Sequence, residues 1–286
     1  MVFPQLLVNG VVASSIIALA GVSWWIIYNT TKVFHFAHML VFAVGGYAAA
    51  LVTTQLNLHF AYGFCASILF SVLLGCSIEK FLYQYLRKKN APQSVIFLAS
   101  LGFATAGVAL ILLILSSNPR RIMDFPNVVI SFKGISTTST DLITILVGCI
   151  SILAVILFLK KSSYGKAIRA VASNKEMAAN LGIDINKIYL IVFGIGSGLF
   201  GIASFLFTAK NVAYPTMGTY PFFMAFTAVF LGGVNSIIGC VLAGIVLGMA
   251  ENLGMIILPG EYKVMIAYGI LFFVILIKPE GLISSK

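Results

Sequence analysis

The segment from Tyr164 to Ile183, YGKAIRAVASNKEMAANLGI, is polar, charged and spaced like a helix, and long apolar runs lie on both sides of it. In an otherwise apolar chain, a segment of this kind belongs outside the membrane that the apolar runs cross. Its mixture of charged and small residues favours contact with another protein. We therefore expect a bundle of membrane-crossing helices that a partner protein binds at this segment.

The composition of the whole chain agrees with membrane insertion. Of 286 residues, 60% are hydrophobic and 9% are charged, whereas a soluble domain averages about 25% charged residues. A water-soluble core does not need so much apolar sequence, so the composition predicts an integral membrane protein. We expect an all-α fold, a polytopic transmembrane bundle of eight or nine segments that forms a single domain over residues 1–286.

Nine apolar segments can be distinguished, at 6–28, 38–56, 60–82, 94–116, 140–160, 188–208, 221–234, 237–258 and 263–277. Most have a length of about 20 residues, which at about 1.5 Å per residue matches a hydrocarbon core of about 30 Å. The segment 221–234 is shorter. It forms either a half-helix or one helix with the next segment, joined through the break at Gly232 to Ser236.

The basic residues indicate an orientation. Of 18 Lys and Arg residues, 13 lie on the side of the Tyr164 segment. They are Lys80 at the end of an apolar segment and those in the loops around Lys32, Arg87 to Lys89 and Lys160 to Lys187 and in the tail with Lys278 and Lys286. The other side holds Arg120, Arg121, Lys133, Lys210 and Lys263. This bias is the positive-inside pattern rather than a nucleic-acid surface, so we expect the N-terminus outside and the C-terminus in the cytoplasm.

The residue patterns do not favour an enzyme or a metal site. The four cysteines lie in apolar runs without CxxC spacing, and the three histidines lack HExxH spacing. No GxSxG motif is present, and we expect no catalytic residues. The first basic residue is Lys32, after the first apolar run, so we expect that run to be a membrane span and not a cleaved signal peptide.

The Tyr164 segment predicts two short helices, near 165–172 and 174–181. Ser173 and Glu176 fit a capping box that begins the second helix, and Gly182 fits a C-terminal stop. If one helix runs through instead, an apolar surface of small side chains lies beside the charges, formed by Ala167, Val171, Ala178 and Leu181. The alternative to protein docking is a helix that lies among lipid headgroups.

Glycines recur where helices are expected to pack closely or bend, because helices in a bilayer associate through small residues. The positions expected to act as packing or hinge glycines are Gly45, Gly46, Gly232, Gly233, Gly244 and Gly248.

Several polar residues at segment ends have ordinary structural interpretations. Asp141 or Thr140 fits the N-cap of the segment 140–160. Glu79 is next to Lys80, where a local ion pair is expected, and His35 and His59 are expected at the membrane interface. The loop 117–139 carries two arginines, and it is either a solvated loop or a contact for an acidic partner outside.

Ordered motifs in the chain resemble branched-chain amino acid ABC transporter permeases. The Tyr164 segment is similar to the cytoplasmic coupling segment of this family, FHFAHMLVFAVGGY at 34–47 is similar to one signature, and PTMGTYPFFMAFTAVFLGGVNSIIGCVLAGIVLGMAE at 215–251 to another. The resemblance covers nearly the whole chain. It implies a permease subunit of an ABC importer in the bacterial cytoplasmic (inner) membrane, moving amino acids, with branched-chain amino acids as the default substrate.

The resemblance also implies the partners. This chain would contact a second homologous permease subunit, two ATP-binding subunits on the cytoplasmic side, an extracytoplasmic substrate-binding protein and membrane lipid. It would not bind nucleic acid. ATP would bind to the ATPase subunits, and this chain, which lacks GxxxxGK[ST], would carry no cofactor and no enzyme activity. The residues implied in ATPase coupling are Gly165, Lys166, Arg169, Ala170, Ser173, Glu176, Ala179 and Gly182.

Four residues are candidates for the translocation pathway. The resemblance marks His38, which is equally well interpreted as an interfacial helix cap, and Thr227. Glu251 lies in an apolar segment, where a charge is costly, and it either lines the pathway or hydrogen-bonds a neighbouring helix. Asn29 stands where the family more often has an apolar residue or glycine. Departures such as Met39 and Met224 weaken inference about the substrate more than inference about the fold.

The alternative function is a stand-alone secondary transporter or channel for a small polar solute. Such a protein needs charged residues within the membrane for ion coupling, and apart from Glu251 there are few. An intramembrane enzyme would need a nucleophile with a base, or metal ligands, which the motifs do not supply.

Overall fold

The computed structural model describes residues 2–123, 125–132, 135–256, 259 and 262–277. The expected all-α fold is confirmed. The helices are α1 (Val2–Thr31), α2 (His38–Thr54), α3 (Phe60–Ser77), α4 (Gln84–Lys88), α5 (Gln93–Leu115), α6 (Ser139–Lys161), α7 (Ser163–Ser173), α8 (Lys175–Asn180), α9 (Ile185–Lys210), α10 (Thr219–Gly232), α11 (Ile237–Leu253) and α12 (Lys263–Ile277). A π-helical turn (Ile78–Tyr83) joins α3 to α4, and a 3-10 turn (Gly254–Ile256) follows α11.

Within the part of the chain that the structure describes, six helical stretches are long enough and apolar enough to cross a membrane. They run over Phe3–Thr31, Phe60–Lys88, Gln93–Leu115, Ser139–Lys161, Ile185–Lys210 and Ile237–Ile256. The apolar helices α2 and α10 are shorter. The count of eight or nine segments is therefore approximate, and residues 257 and 258 of the eighth predicted segment lie outside the described residues.

The seventh predicted segment forms a separate short helix, and the alternative of one helix joined to the next segment is wrong. The 14 residues of α10 end at Gly232, and Gly233 adopts a left-handed φ of 97° that turns the chain. The Ser236 hydroxyl then accepts a hydrogen bond from the Gly239 amide at 3.0 Å and begins α11. At about 1.5 Å per residue, α10 covers about 21 Å, less than a full hydrocarbon core.

The core of the bundle lies around α1 and α9. In α1, 61% of the residues of the apolar stretch are buried, and in α9 the share is 67%. An antiparallel α11 packs along α1, with Gly244 beside Ala18 and Gly248 beside Ser14. A Cβ atom at Gly244 would lie 2.6 Å from the Ala18 Cα, so only glycine permits this approach.

Three other predicted packing glycines, Gly45, Gly46 and Gly232, also lie at close contacts. A Cβ atom at Gly45 would lie 2.6 Å from the Ser71 hydroxyl of α3, and one at Gly46 would lie 2.7 Å from the Thr208 hydroxyl of α9. A Cβ at Gly232 would meet the backbone of Gly239. These residues let α2 approach α3 and α9, and they let α10 approach the start of α11.

The bundle has two ends that differ in structure. At one end, here called the hairpin end, strands β1 (Val129–Phe132) and β2 (Ile135–Thr138) pair antiparallel within the long predicted loop. Gln5 of α1 bonds both backbone groups of Ser136, donating to its carbonyl at 2.7 Å and accepting from its amide at 2.8 Å. The sequence patterns did not indicate these strands, whose contacts hold the start of α1.

At the hairpin end an ion pair joins two helices. The Lys210 ammonium at the end of α9 donates to the Asp141 carboxylate at the start of α6, at 2.6 Å. The N-cap of α6 is Thr138, and the prediction of Asp141 or Thr140 is wrong. Asp141 closes a capping box with Thr138, and the Thr140 hydroxyl donates instead to the Pro126 carbonyl at 2.9 Å.

The opposite end, here called the α7–α8 end, gathers the turns that carry most of the described basic residues. The Trp25 indole of α1 donates to the Val234 carbonyl at 2.7 Å, and the Gln93 side chain donates to the Lys32 carbonyl. Helices α7 and α8 lie beside these contacts. Lys133, Lys278 and Lys286, which entered the prediction of orientation, lie outside the described residues.

We expect Gly244→Leu to destabilise the bundle, because the new side chain must separate α1 from α11. Overpacking of this kind costs about 1–3 kcal/mol or more. Thermal unfolding of the purified protein in detergent should show a lower midpoint. Val246→Leu is the matched control on the same helix, since Val246 is exposed. Equal midpoints for the two variants would contradict the close contact.

Candidate docking surface and membrane pathway

Two short helices form at the Tyr164 segment, as predicted, with boundaries at Ser163–Ser173 and Lys175–Asn180. The Ser162 hydroxyl caps α7 by accepting from the Gly165 amide at 2.8 Å. The predicted Ser173–Glu176 capping box is wrong. Asn174 has the extended backbone of a cap, and its side-chain oxygen accepts from the Met177 amide at 2.9 Å.

Gly182 ends α8 in the predicted left-handed conformation, with a φ of 83°. Its amide donates to the Ala179 carbonyl at 2.9 Å, and the amide of Ile183 donates to the Ala178 carbonyl at 3.1 Å. These two bonds satisfy the last carbonyls of the short helix, where glycine pays no steric cost.

One face of α7 and α8 is fixed to the bundle. Ile168, Val171 and Ala178 are buried, and so is Gly165, where a Cβ atom would lie 2.7 Å from the Leu159 Cα at the end of α6. Gly165 therefore holds α7 against α6 and is not available to a partner. Because the described contacts join α7 to α1, α6 and α9, a force on α7 reaches three long helices.

The opposite face is exposed. Six of the eight predicted coupling residues are exposed and Ala170 is half-buried; the exposed ones are Lys166, Arg169, Ser173, Glu176, Ala179 and Gly182. The predicted surface of small apolar side chains is wrong, because Val171 and Ala178 face the bundle. The most exposed apolar side chains of this element are Met177, 61% exposed, and Leu181, 75% exposed. Their spacing of four residues, from α8 to its C-cap, is visible in the sequence and could have indicated this pair.

His35 is buried and not interfacial as predicted, and His38 is also buried, which contradicts its interpretation as an interfacial helix cap. The His38 Nε2 lies 2.7 Å from the Ser23 hydroxyl, which donates to the Gly196 carbonyl at 2.8 Å, so His38 is the donor to Ser23. The His38 ring stacks on Phe200 with ring centres 4.0 Å apart. His38 thus ties the start of α2 to α1 and α9.

His35 makes a second buried network from the loop between α1 and α2. Its Nδ1 lies 2.7 Å from the Tyr83 hydroxyl, which donates to the Ser100 hydroxyl at 2.6 Å. Ser100 also accepts the Ala37 amide at 2.9 Å. His59, in contrast, is exposed, as expected of an interfacial residue, and it caps α3 by accepting from the Ala61 amide.

The remaining pathway candidates occupy different places. Glu251 is buried and accepts a hydrogen bond from the Tyr220 hydroxyl at 2.6 Å, so it does bond a neighbouring helix. Thr227 is fully buried in α10. Asn29 is partly exposed and lines a cavity of about 460 Å³ at the α7–α8 end.

The four pathway candidates do not form one site. Asn29 lies near the end of α1, whereas Glu251 lies on α11 beside the first turns of α1. Near Tyr220, a cavity of about 440 Å³ opens at the hairpin end between α1, α9, α10 and α11. Among the residues that the structure describes, no group of three His, Cys, Asp or Glu side chains could hold a metal ion.

An ion pair that the sequence patterns missed lies beside α8. Glu79 is buried and pairs with Arg87, not with Lys80 as predicted. The intervening π-helical turn changes the helical register, so a pairing eight residues apart replaces the local one. The Arg87 guanidinium also lies 4.7 Å from the ring centre of Tyr189 on α9.

Comparison with known proteins gives the family. A family model described as "Branched-chain amino acid transport system / permease component" matches residues 6–275. The high-affinity branched-chain amino acid transport system permease protein BraD of Pseudomonas aeruginosa is 30% identical, over 98% of this chain and 95% of its own length. The LivH permease protein of Escherichia coli K12 is 29% identical, over 99% and 96%.

A solved structure shares the fold. The chain resembles a chain of PsaBC from Streptococcus pneumoniae in complex with Fab, with a TM-score of 0.57 and 17% identity, over 95% of this chain and 91% of that one. An archaeal relative, the probable branched-chain amino acid transport permease protein LivH of Methanocaldococcus jannaschii, is 27% identical over 87% of this chain and 80% of its own length. The chain belongs to the branched-chain amino acid transport permease family.

Proposed function

We propose that this chain is the membrane-spanning permease subunit of an ABC importer that moves amino acids, branched-chain ones in the first instance. The observation that carries the proposal is the α7–α8 element. In a permease chain it has one face packed on three long helices and the other face exposed, with charged side chains around Met177 and Leu181. Such a surface suits a partner that exerts force on the bundle.

The ATPase subunits would dock on α7 and α8. Met177 and Leu181 supply the apolar centre of the contact, and Lys166, Arg169 and Glu176 supply its polar rim. Movement caused by ATP binding or hydrolysis on the partners would pass through Ile168 and Val171 into the ends of α1, α6 and α9. ATP would stay on the partners, and this chain would hold no cofactor and catalyse no reaction.

The charge distribution supports the orientation. Helices and turns at the α7–α8 end carry most of the described Lys and Arg residues, including Lys32, Arg87 and Lys175. By the positive-inside rule this end faces the cytoplasm of a bacterial cytoplasmic membrane, with the N-terminus outside and the C-terminus inside. The hairpin end would then meet the extracytoplasmic substrate-binding protein.

The second permease subunit would pack on α5. Only 11% of the residues in the apolar stretch of α5 are buried. One exposed face carries small residues three and four apart, at Gly102, Thr105, Ala106 and Ala109. A Cβ atom at Gly102 would meet nothing within 4 Å. Small residues let helix backbones approach in a bilayer, so this face suits a helix of the second subunit.

Transport in liposomes tests the proposal. We expect the chain, reconstituted with its two ATPase subunits, the second permease and the binding protein, to take up leucine, isoleucine or valine only when ATP is present. Uptake without the ATPase subunits would favour the stand-alone transporter instead. If ATP drove the uptake of other amino acids only, the assignment of branched-chain substrates would be wrong, whereas the assignment as an ABC importer would stand.

We expect Leu181→Glu to weaken the binding of the ATPase subunits to this chain. Each ~1.4 kcal/mol of binding free energy changes the affinity tenfold, and burying an unpaired carboxylate in a protein contact costs more than this. We therefore expect about tenfold or greater loss of ATPase copurification and of uptake. Membrane levels should not change. Asn186→Glu is the control, an exposed position at the same end of the bundle. Equal effects of both variants would argue against a contact at Leu181.

Ala106→Trp should weaken pairing of the two permease subunits by roughly tenfold, because the indole holds the partner helix away from α5. The pairing is measured by copurification of differently tagged subunits from detergent. Leu153→Trp on α6 is the control, since Leu153 is an exposed apolar residue on another helix. Unchanged pairing in Ala106→Trp would remove α5 from the interface.

A further inference from the structure

Basic side chains converge on a cavity at the α7–α8 end. The cavity has a volume of about 400 Å³ and lies between the end of α1, the start of α5 and the helices α7 and α8. Lys32, Arg87 and Lys175 line it together. No carboxylate is among the described residues that line this cavity.

Two smaller groups of cations extend the same region. The neighbouring cavity of about 460 Å³ is lined by Lys160 and Arg169, and it shares Ser173 with the first. A third cavity of about 220 Å³ adds Lys88 and shares Arg87 with the first. Within the described part of the chain, none of the three has a carboxylate in its lining.

The carboxylate near the cavity, that of Glu79, already forms an ion pair. Glu79 pairs with Arg87 through both guanidinium nitrogens. The Lys175 ammonium has no hydrogen-bond or ion-pair partner among the described residues, and the Lys32 ammonium has only the side-chain oxygen of Asn29, at 3.4 Å. Partial burial lowers the pKa of the Lys32 amine. The cavity therefore holds an excess of positive charge.

The position of the cavity relates it to the membrane surface. Thr30 and Thr31 at its wall are the last residues of α1, and Gln93 is the first residue of α5. The ends of apolar helices lie where the hydrocarbon core gives way to headgroups. On the continuous stretch that leads to Arg87, Phe81 is 72% exposed and offers apolar surface to an acyl chain.

We propose that the cavity lined by Lys32, Arg87 and Lys175 binds the phosphate of an anionic phospholipid headgroup. The phosphate supplies the negative charge that the cavity lacks, and its oxygens accept from both lysines. Bound there, the headgroup joins α8 to the loop between α1 and α2. Free phosphate has the same chemistry, but the helix ends at the wall and the exposed Phe81 favour a lipid.

Binding is tested on the full chain purified in detergent. We expect phosphatidylglycerol to raise the thermal unfolding midpoint by about 4 °C or more, and phosphatidylcholine to leave it unchanged. The double variant Lys32→Gln, Lys175→Gln should bind phosphatidylglycerol about tenfold or more weakly. The matched control is Lys161→Gln, Lys187→Gln, which loses the same charge at the same end but lines none of the three cavities.

Each other outcome overturns the proposal. No shift of the wild type with phosphatidylglycerol, or equal weakening in both double variants, would mean that no specific site exists. An equal shift with inorganic phosphate would assign the cavity to the free anion. If the double variant Lys32→Gln, Lys175→Gln bound lipid normally but no longer copurified with the ATPase subunits, the cavity would instead bind an acidic protein surface. Lys175→Arg, which keeps the charge, should bind lipid like the wild type, so that misfolding of the double variant cannot be mistaken for the effect.

Discussion

The antiparallel contact of α1 with α11 is the interaction on which the bundle depends. Gly244 and Gly248 allow the two backbones to approach, and lipid provides no hydrophobic force that could replace this fit. Because neighbouring helices pack around α1, residues near both of its ends can hold other parts of the chain in place. Gln5 holds the hairpin, and Trp25 holds the turn between α10 and α11. The two ends of the molecule are therefore positioned by one helix.

The α7–α8 element depends on the same frame. Its buried residues Ile168 and Val171 rest on helix ends that α1 and α9 hold in place, so its outer face is a rigid surface and not a loose loop. Met177 and Leu181 then project from a fixed support. Under the proposed function, a partner that binds this surface would move the bundle through it.

Apolar runs of membrane length were enough to predict the helices, and the glycine spacing was enough to predict where they pack. The wrong predictions concern positions where two neighbouring side chains could make the same hydrogen bond or where the partner is distant in sequence. Asn174 displaced Ser173 as the cap because either side chain can accept the amide. The π-helical turn gave Glu79 a distant partner, which local spacing cannot anticipate. His35 and one of the two interpretations of His38 were interfacial, and only the fold shows that the chain between α1 and α2 turns inside the bundle.

The network around His35 has a consequence for biogenesis. The loop between α1 and α2 is held by Tyr83 and by Ser100, which lie on later helices. Because Tyr83 and Ser100 follow these helices in the chain, the hydrogen bonds that hold this loop can form only after α5 has been synthesised. The buried hydrogen bonds of the first loop are therefore completed after the first two helices have been made, not together with them.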